Sequence, residues 1–214
     1  YNMFELNKDK RVILFFGGGE FGLGKDRTIQ ILNSLINNLT DYQIVAIDPE
    51  GELSEMTRLY DGNFVDLGKG GEFGMINPLE IVMDSDDDQI SNQGLGYTVL
   101  TSTHQTLKAF MKYYSPNIEE DVLTLFGEIA LETYARFGIA YNTNFSHYKS
   151  KDFPRMQDVY VTVTSKLTSM TEKTHERDVL ERLELKLRPL VKELQYYFNG
   201  HTTIDTTNDY LVFN

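Results

Sequence analysis

One stretch limits what this chain can fold into: Gly19-Glu20-Phe21-Gly22-Leu23-Gly24-Lys25-Asp26. It follows the apolar run Val12-Ile13-Leu14-Phe15-Phe16 and precedes a segment in which Ile29, Leu32, Leu35, Ile36 and Leu39 recur at helical spacing. A phosphate-binding loop has the form G-x-x-x-x-G-K-[ST] between a strand and a helix. There, the N–H groups of the glycine turn and of the helix start face the polyphosphate, and the lysine acts as a point charge. Every position fits except the last, where Asp26 stands for Ser or Thr. The missing hydroxyl is the one that helps hold Mg²⁺ against the β and γ phosphates. A carboxylate can take its place as a hard oxygen ligand. Without the metal, it sets a negative charge beside the phosphates. The spacing assigns nucleotide contact to Gly19, Glu20, Phe21, Gly22, Leu23, Gly24, Lys25, Asp26 and Arg27, with Asp26 a candidate Mg²⁺ ligand.

The sequence around this loop has an α/β rhythm. Residues 11–16, apolar without a break from Val12 onward, suit a parallel strand buried on both faces. Gln43 to Ile47 reads as a second strand, so strand, loop, helix and strand make a right-handed βαβ unit. A short helix from about Leu53 to Leu59, a turn at Asp61-Gly62 and a third strand from Asn63 to Leu67 follow. The cluster Gly68 to Gly74 repeats Gly-Glu-Phe-Gly but lacks the lysine spacing and a following helix, so it reads as a surface loop. Asp84-Ser85-Asp86-Asp87-Asp88 is an acidic linker.

Beyond the linker, helical patterning dominates, with Val159 to Val163 the one strand-like run. Asn117 and Glu120 are spaced for a capping box, with Gly138 as the glycine that ends that helix. Phe153-Pro154 opens another helix. His175 to Phe198 is the longest run, and Pro189 predicts a kink or a division into two helices. Thr203-Ile204-Asp205 and Tyr210 to Phe213 return to strand character. Three parts result: residues 1–84 as the first part of the core, 85–200 as a helical insertion, and 201–214 as return strands.

Composition narrows the function classes. Net charge is -12 over 214 residues, against a protein that wraps nucleic acid by its overall field. A local basic surface, or DNA contact by a ring of subunits, is compatible with that balance. With no cysteine there is no disulfide or thiolate chemistry. No apolar run reaches the roughly 18 residues of a membrane span. The opening Tyr-Asn-Met-Phe carries no signal-peptide features and reads as internal to something longer.

Asp48, Glu50 and Glu52 fall just past the second strand, on the edge where open α/β sheets bind ligands. One reading gives Asp48 to Mg²⁺ and makes Glu50 a catalytic group that orients water, beside Lys25. The other has these carboxylates cap the next helix, where negative charge is favourable. His104, His147, His175 and His201 have no metal-ligand spacing.

The series Gly19 to Asp26, Ile47-Asp48-Pro49-Glu50-Gly51-Glu52, Ile76-Asn77-Pro78-Leu79-Glu80-Ile81, Phe153-Pro154 with Asp158, and Leu187-Arg188-Pro189-Leu190 through Tyr197-Phe198-Asn199-Gly200 spans nearly the whole chain. In this order it resembles the motor domain of the VirB4-type ATPases of conjugative type IV secretion systems, particularly those of Gram-positive bacteria. The resemblance implies a RecA-like P-loop core of mostly parallel strands with an all-helical insertion. It implies ATP and Mg²⁺ as ligands, and hydrolysis that powers pilus assembly or transfer of DNA or protein. It also implies other secretion components as partners, a hexamer, and a cytoplasmic place at the inner face of the membrane. Gly19, Gly22, Gly24 and Lys25 would hold the phosphates. The family's Walker B aspartate and glutamate are expected beyond Asn214, so the last part of the core is missing from this chain and little ATPase activity is expected of it alone. The other reading, carried by Asp26, is a degenerate, non-hydrolysing subunit that serves as a protein-interaction scaffold.

Overall fold

A computed structural model describes Ser34 and residues 43–82, 95–205 and 208–214. The stretch read as a phosphate loop, the strand and helix expected on either side of it except Ser34, and the acidic linker lie outside the described residues. Among the described residues, three short strands form one sheet in the order β1-β3-β2: β1 is Ile44–Ile47, β2 is Asn63–Val65 and β3 is Tyr210–Phe213. Both pairings are parallel, with Val45 opposite Leu211 and Leu211 opposite Asn63. The strand farthest along the chain therefore fills the gap between two strands formed about 150 residues earlier.

Between β1 and β2 runs α1, Ser54–Leu59. Its apolar side meets one sheet face in a small core of Ile44, Leu53, Tyr210 and Val212, with Met56, Tyr60 and Phe64 packed against it. Gly62 closes the α1–β2 turn against β3. A Cβ there would stand 2.7 Å from the Tyr210 carbonyl oxygen, so no larger residue fits without moving the strand. On the other face, Val45 and Ile47 are exposed.

Further α-helices among the described residues are α2, Leu95–Tyr114; α3, Glu120–Arg136; α4, Met156–Ser169; α5, His175–Lys192; and α6, Gln195–Phe198. Their buried positions follow helical spacing: Leu107 and Met111 on α2; Val122, Phe126, Ile129 and Tyr134 on α3; Leu180, Leu183, Leu187 and Leu190 on α5. Truncating one such leucine to alanine costs about 2–5 kcal/mol. Leu79 and Ile81, which precede the acidic linker, belong to this core and not to the sheet's.

Four local expectations need correction. Val159 to Val163 is part of α4, because Met156, Val159 and Val163 share one buried helical face; packing overrides the β preference of valine. The Asn117–Glu120 box does not form: Ile118 N donates to Ser115 O in a turn, and α3 starts after Glu119 with no side-chain cap. Gly138 does end α3, at φ 75°, with Ile139 N donating to Tyr134 O and Gly138 N to Ala135 O. Residues 203–205 are not a strand, and Thr203 is instead tied to the loop at Gly71 and Met75. Pro189 does not stop α5, which continues to Lys192. The carbonyl that proline cannot bond belongs to Leu185, which faces solvent, so the loss is tolerated there. The division into two helices comes after Lys192 instead.

Candidate functional site

Two regions qualify: the carboxyl edge of the sheet, and the joint where the helices meet it. At the edge, β1 runs into Asp48, β2 into Asp66 and β3 into Asn214. Asp48 is buried, and its Oδ2 accepts from Leu53 N at 2.7 Å. The carboxylate thus holds the entry to α1, the structural role weighed above for this position. Glu50 is exposed on the turn that follows, which Gly51 permits at φ 74°. Asp66 accepts from Lys69 N at 3.2 Å and pairs with the Lys69 ammonium at 2.7 Å, which holds its carboxyl below the usual range. Lys69 also lies 5.8 Å from the centre of the Phe73 ring.

The edge can be tested for a magnesium nucleotide on its donors. Glu50 is a hard oxygen donor open to solvent, as Mg²⁺ requires. Among the described residues, no group of three or more His, Cys, Asp or Glu side chains is placed to hold a metal. Gly19 through Arg27, including Lys25 and Asp26, lie outside the described residues, so their distance from Glu50 and Asp48 is not part of this geometry. Asn214 and Asp66 were not singled out from the sequence. The available signal was that each directly follows an apolar strand.

The joint is built from motifs far apart in the chain. Asn77 is buried, and four of its atoms are engaged, its carbonyl oxygen accepting from Glu80 N at 3.1 Å. Nδ2 donates to Pro154 O at 2.9 Å, Oδ1 accepts from Leu79 N at 3.1 Å, and its backbone N donates to Thr202 Oγ1 at 3.0 Å. Alongside, Ile76 N donates to Tyr197 O at 2.9 Å and Thr203 N to Met75 O at 3.1 Å. Asn199 Oδ1 accepts from Gln157 N in the first turn of α4 at 2.7 Å, and Arg155 N donates to Asp158 Oδ2 at 2.7 Å. The buried Tyr134 hydroxyl donates to Leu79 O at 2.7 Å, and burial pushes its ionisation upward. His201 Nδ1 lies 3.0 Å from Ser150 O; the carbonyl can only accept, so Nδ1 carries the proton. The chain segments that enter and leave the helices are thereby bonded to each other and to the start of α4. These residues form a joint and bring no nucleophile or base to one point.

Together, the fold and the edge define an α/β protein whose parallel sheet is completed after a long helical excursion. A solved structure shares this architecture: "Structure of VirB4 of Thermoanaerobacter pseudethanolicus" superposes with a TM-score of 0.73 at 24% sequence identity, over 90% of this chain. The chain spans 47% of that protein's length, about half of it. The resemblance read from the ordered motifs thus holds at the level of the fold. No protein-family model and no curated protein sequence matches the chain. Among the described residues, no helix is long and apolar enough to cross a membrane.

Proposed function

We propose that this chain is the nucleotide-binding part of a VirB4-type ATPase of a conjugative type IV secretion system. Its sheet would belong to a RecA-like P-loop core and its helices to an insertion in that core. The observation that supports this most is the insertion itself: β3 enters the parallel sheet between β1 and β2 only after the helices, in a fold shared with VirB4 over 90% of the chain. Gly19, Gly22, Gly24 and Lys25 would hold the phosphates of ATP, with Asp26 and an edge carboxylate available to Mg²⁺. Bound Mg-ATP supplies the phosphoryl chemistry; this chain's residues orient it and shield its charge.

Charge is divided to suit that role. Residues 95–200 contain 13 basic and 13 acidic side chains, so the whole excess of -12 lies in the rest of the sequence, four of its charges in the acidic linker. ATP must then be drawn by local cations, Lys25 and Arg27, and not by the general field. The test is equilibrium binding of ATP to the full-length protein, with and without Mg²⁺, beside Lys25→Ala. A loss of affinity of at least about tenfold is expected for removing the charge on the phosphates. Unchanged affinity would overturn the assignment. ATP binding without turnover in the full-length protein would favour the second reading, a scaffold subunit, for which Asp26 is the supporting observation. Action at the cytoplasmic face of the membrane, within a hexamer and beside other secretion components, belongs to the same proposal.

A further inference from the structure

One side chain links the carboxyl ends of the strands. The Asn214 backbone extends the sheet past β3: its N donates to Val65 O at 2.9 Å, and its O accepts from Leu67 N at 3.0 Å. Both bonds run toward β2. The side chain runs toward β1, where Nδ2 donates to the main-chain oxygen of Asp48 at 2.7 Å. Because that acceptor is a carbonyl, only the amide nitrogen can face it.

Asp48 O also accepts from Gly51 N at 3.2 Å, the bond that closes the turn carrying Pro49 and Glu50. A Cβ on Gly51 would lie 3.4 Å from Asn214 Nδ2, so the carboxamide packs directly on the turn. The sheet ladder ends one step earlier, where Asp48 N donates to Phe213 O at 2.7 Å. Beyond it the turn is held by Asp48 Oδ2 on the α1 side and by Asn214 on the β3 side.

We infer that Asn214 is a positioning residue: its carboxamide fixes the Asp48–Gly51 turn to the end of the central strand and so holds Glu50 at the nucleotide edge. The inference rests on the nucleotide reading above. A backbone carbonyl on one strand and an amide on the next also make a mechanical link, so a displacement of β3 by the helices would reach Glu50 through this bond.

The experiment uses the full-length protein with Asn214→Leu, which keeps the volume and removes the donor, and Asn214→Gln, which keeps an amide. Asn214→Ser serves if the leucine variant does not fold. Amide hydrogen exchange at Gly51 and Leu53 is measured without nucleotide, and ATP affinity, kcat and KM with Mg²⁺. Loss of this half-buried hydrogen bond predicts exchange at Gly51 and Leu53 faster by about tenfold in Asn214→Leu, and less in Asn214→Gln. Turnover should fall by about the same factor, with ATP affinity within about twofold of wild type. Unchanged exchange overturns the inference, including in a protein that binds ATP without hydrolysing it. Equal losses in affinity and kcat also overturn it, since they indicate ground-state binding and not positioning. Lys25→Ala separates the two claims. If that variant binds ATP normally, the nucleotide reading falls and takes this inference with it. If it loses ATP while Asn214→Leu behaves as wild type, only the inference falls.

Discussion

Replacing Asn77 by alanine should unfasten the joint between sheet and helices, and the structure sets the cost. The substitution removes the donor to Pro154 O and the acceptor of Leu79 N, both buried contacts. A buried polar group left without its partner costs about 1–3 kcal/mol. Two such groups give about 2–6 kcal/mol, part of which water entering the vacated space can return. For a chain of this size, roughly 2–4 °C of melting temperature accompanies each kcal/mol. The expected loss is therefore about 5–15 °C, followed by circular dichroism in the helical region, since the helices dominate that signal. Asn77→Asp makes a sharper version. It keeps the acceptor for Leu79 N but points a carboxylate oxygen at the Pro154 carbonyl. The introduced carboxyl has a folded-state pKa raised above the roughly 3.9 of an unfolded aspartate. The folded state then binds more protons, so the deficit of this variant shrinks as pH falls through that raised value. An Asn77→Ala protein within about 0.5 kcal/mol of wild type would refute the reasoning. So would an Asn77→Asp deficit that does not change between neutral and mildly acidic pH.

Three further predictions concern the helical core. Glu184 is buried and bidentate with Arg188, at 3.0 Å from Nε and 2.6 Å from Nη2, and also accepts from the Tyr160 hydroxyl at 2.5 Å. Hydrogen bonding from Arg188 holds its carboxyl below the usual 4.5 against the opposing effect of burial. Its stabilisation is therefore fully present above about pH 4.5 and is lost as pH falls through the lower folded-state value. Glu184→Gln should be less stable by about 1–3 kcal/mol near pH 7 in chemical denaturation, and the difference should narrow in acid. A constant difference across that range would exclude the ion pair as its source. At the crossing of α2 and α3, a Cβ on Gly127 would lie 2.4 Å from His104 Nε2, an atom buried without a hydrogen-bond partner. Gly127→Ala should cost about 1–3 kcal/mol by overpacking, and His104→Ala in the same chain should recover part of it in a double-mutant cycle. Additive effects would show that the two residues do not compete for the space. Burial and the Lys108 ammonium keep the His104 imidazole below its usual 6.5, so wild-type stability should decline as pH drops below 6.5, and His104→Leu should flatten that slope.

Much of the helical architecture was legible in the sequence, because a helix closes its hydrogen bonds locally and shows its buried face as a period. The leucines of α5, the terminal glycine at Gly138 and the Pro154 entry to α4 are of this kind. β1, α1 and β2 were also readable, bounded by turn residues. The misreadings trace mostly to the tertiary setting of each residue. Val159 to Val163 has strand-like side chains, and only the core around α4 makes them helical. Pro189 reads as a break until Leu185 is seen to face solvent. The insertion of β3 between β1 and β2 depends on pairing with residues about 150 positions away, which no local pattern encodes. The same holds for Asn77, Asn199 and Thr202, whose value lies in meeting one another, and for Asn214. The ordered motifs pointed to a VirB4-like fold, while the tertiary structure decided what several of them do. They tie the helices to the sheet, because buried amide and carbonyl groups at that joint need partners the local chain cannot supply.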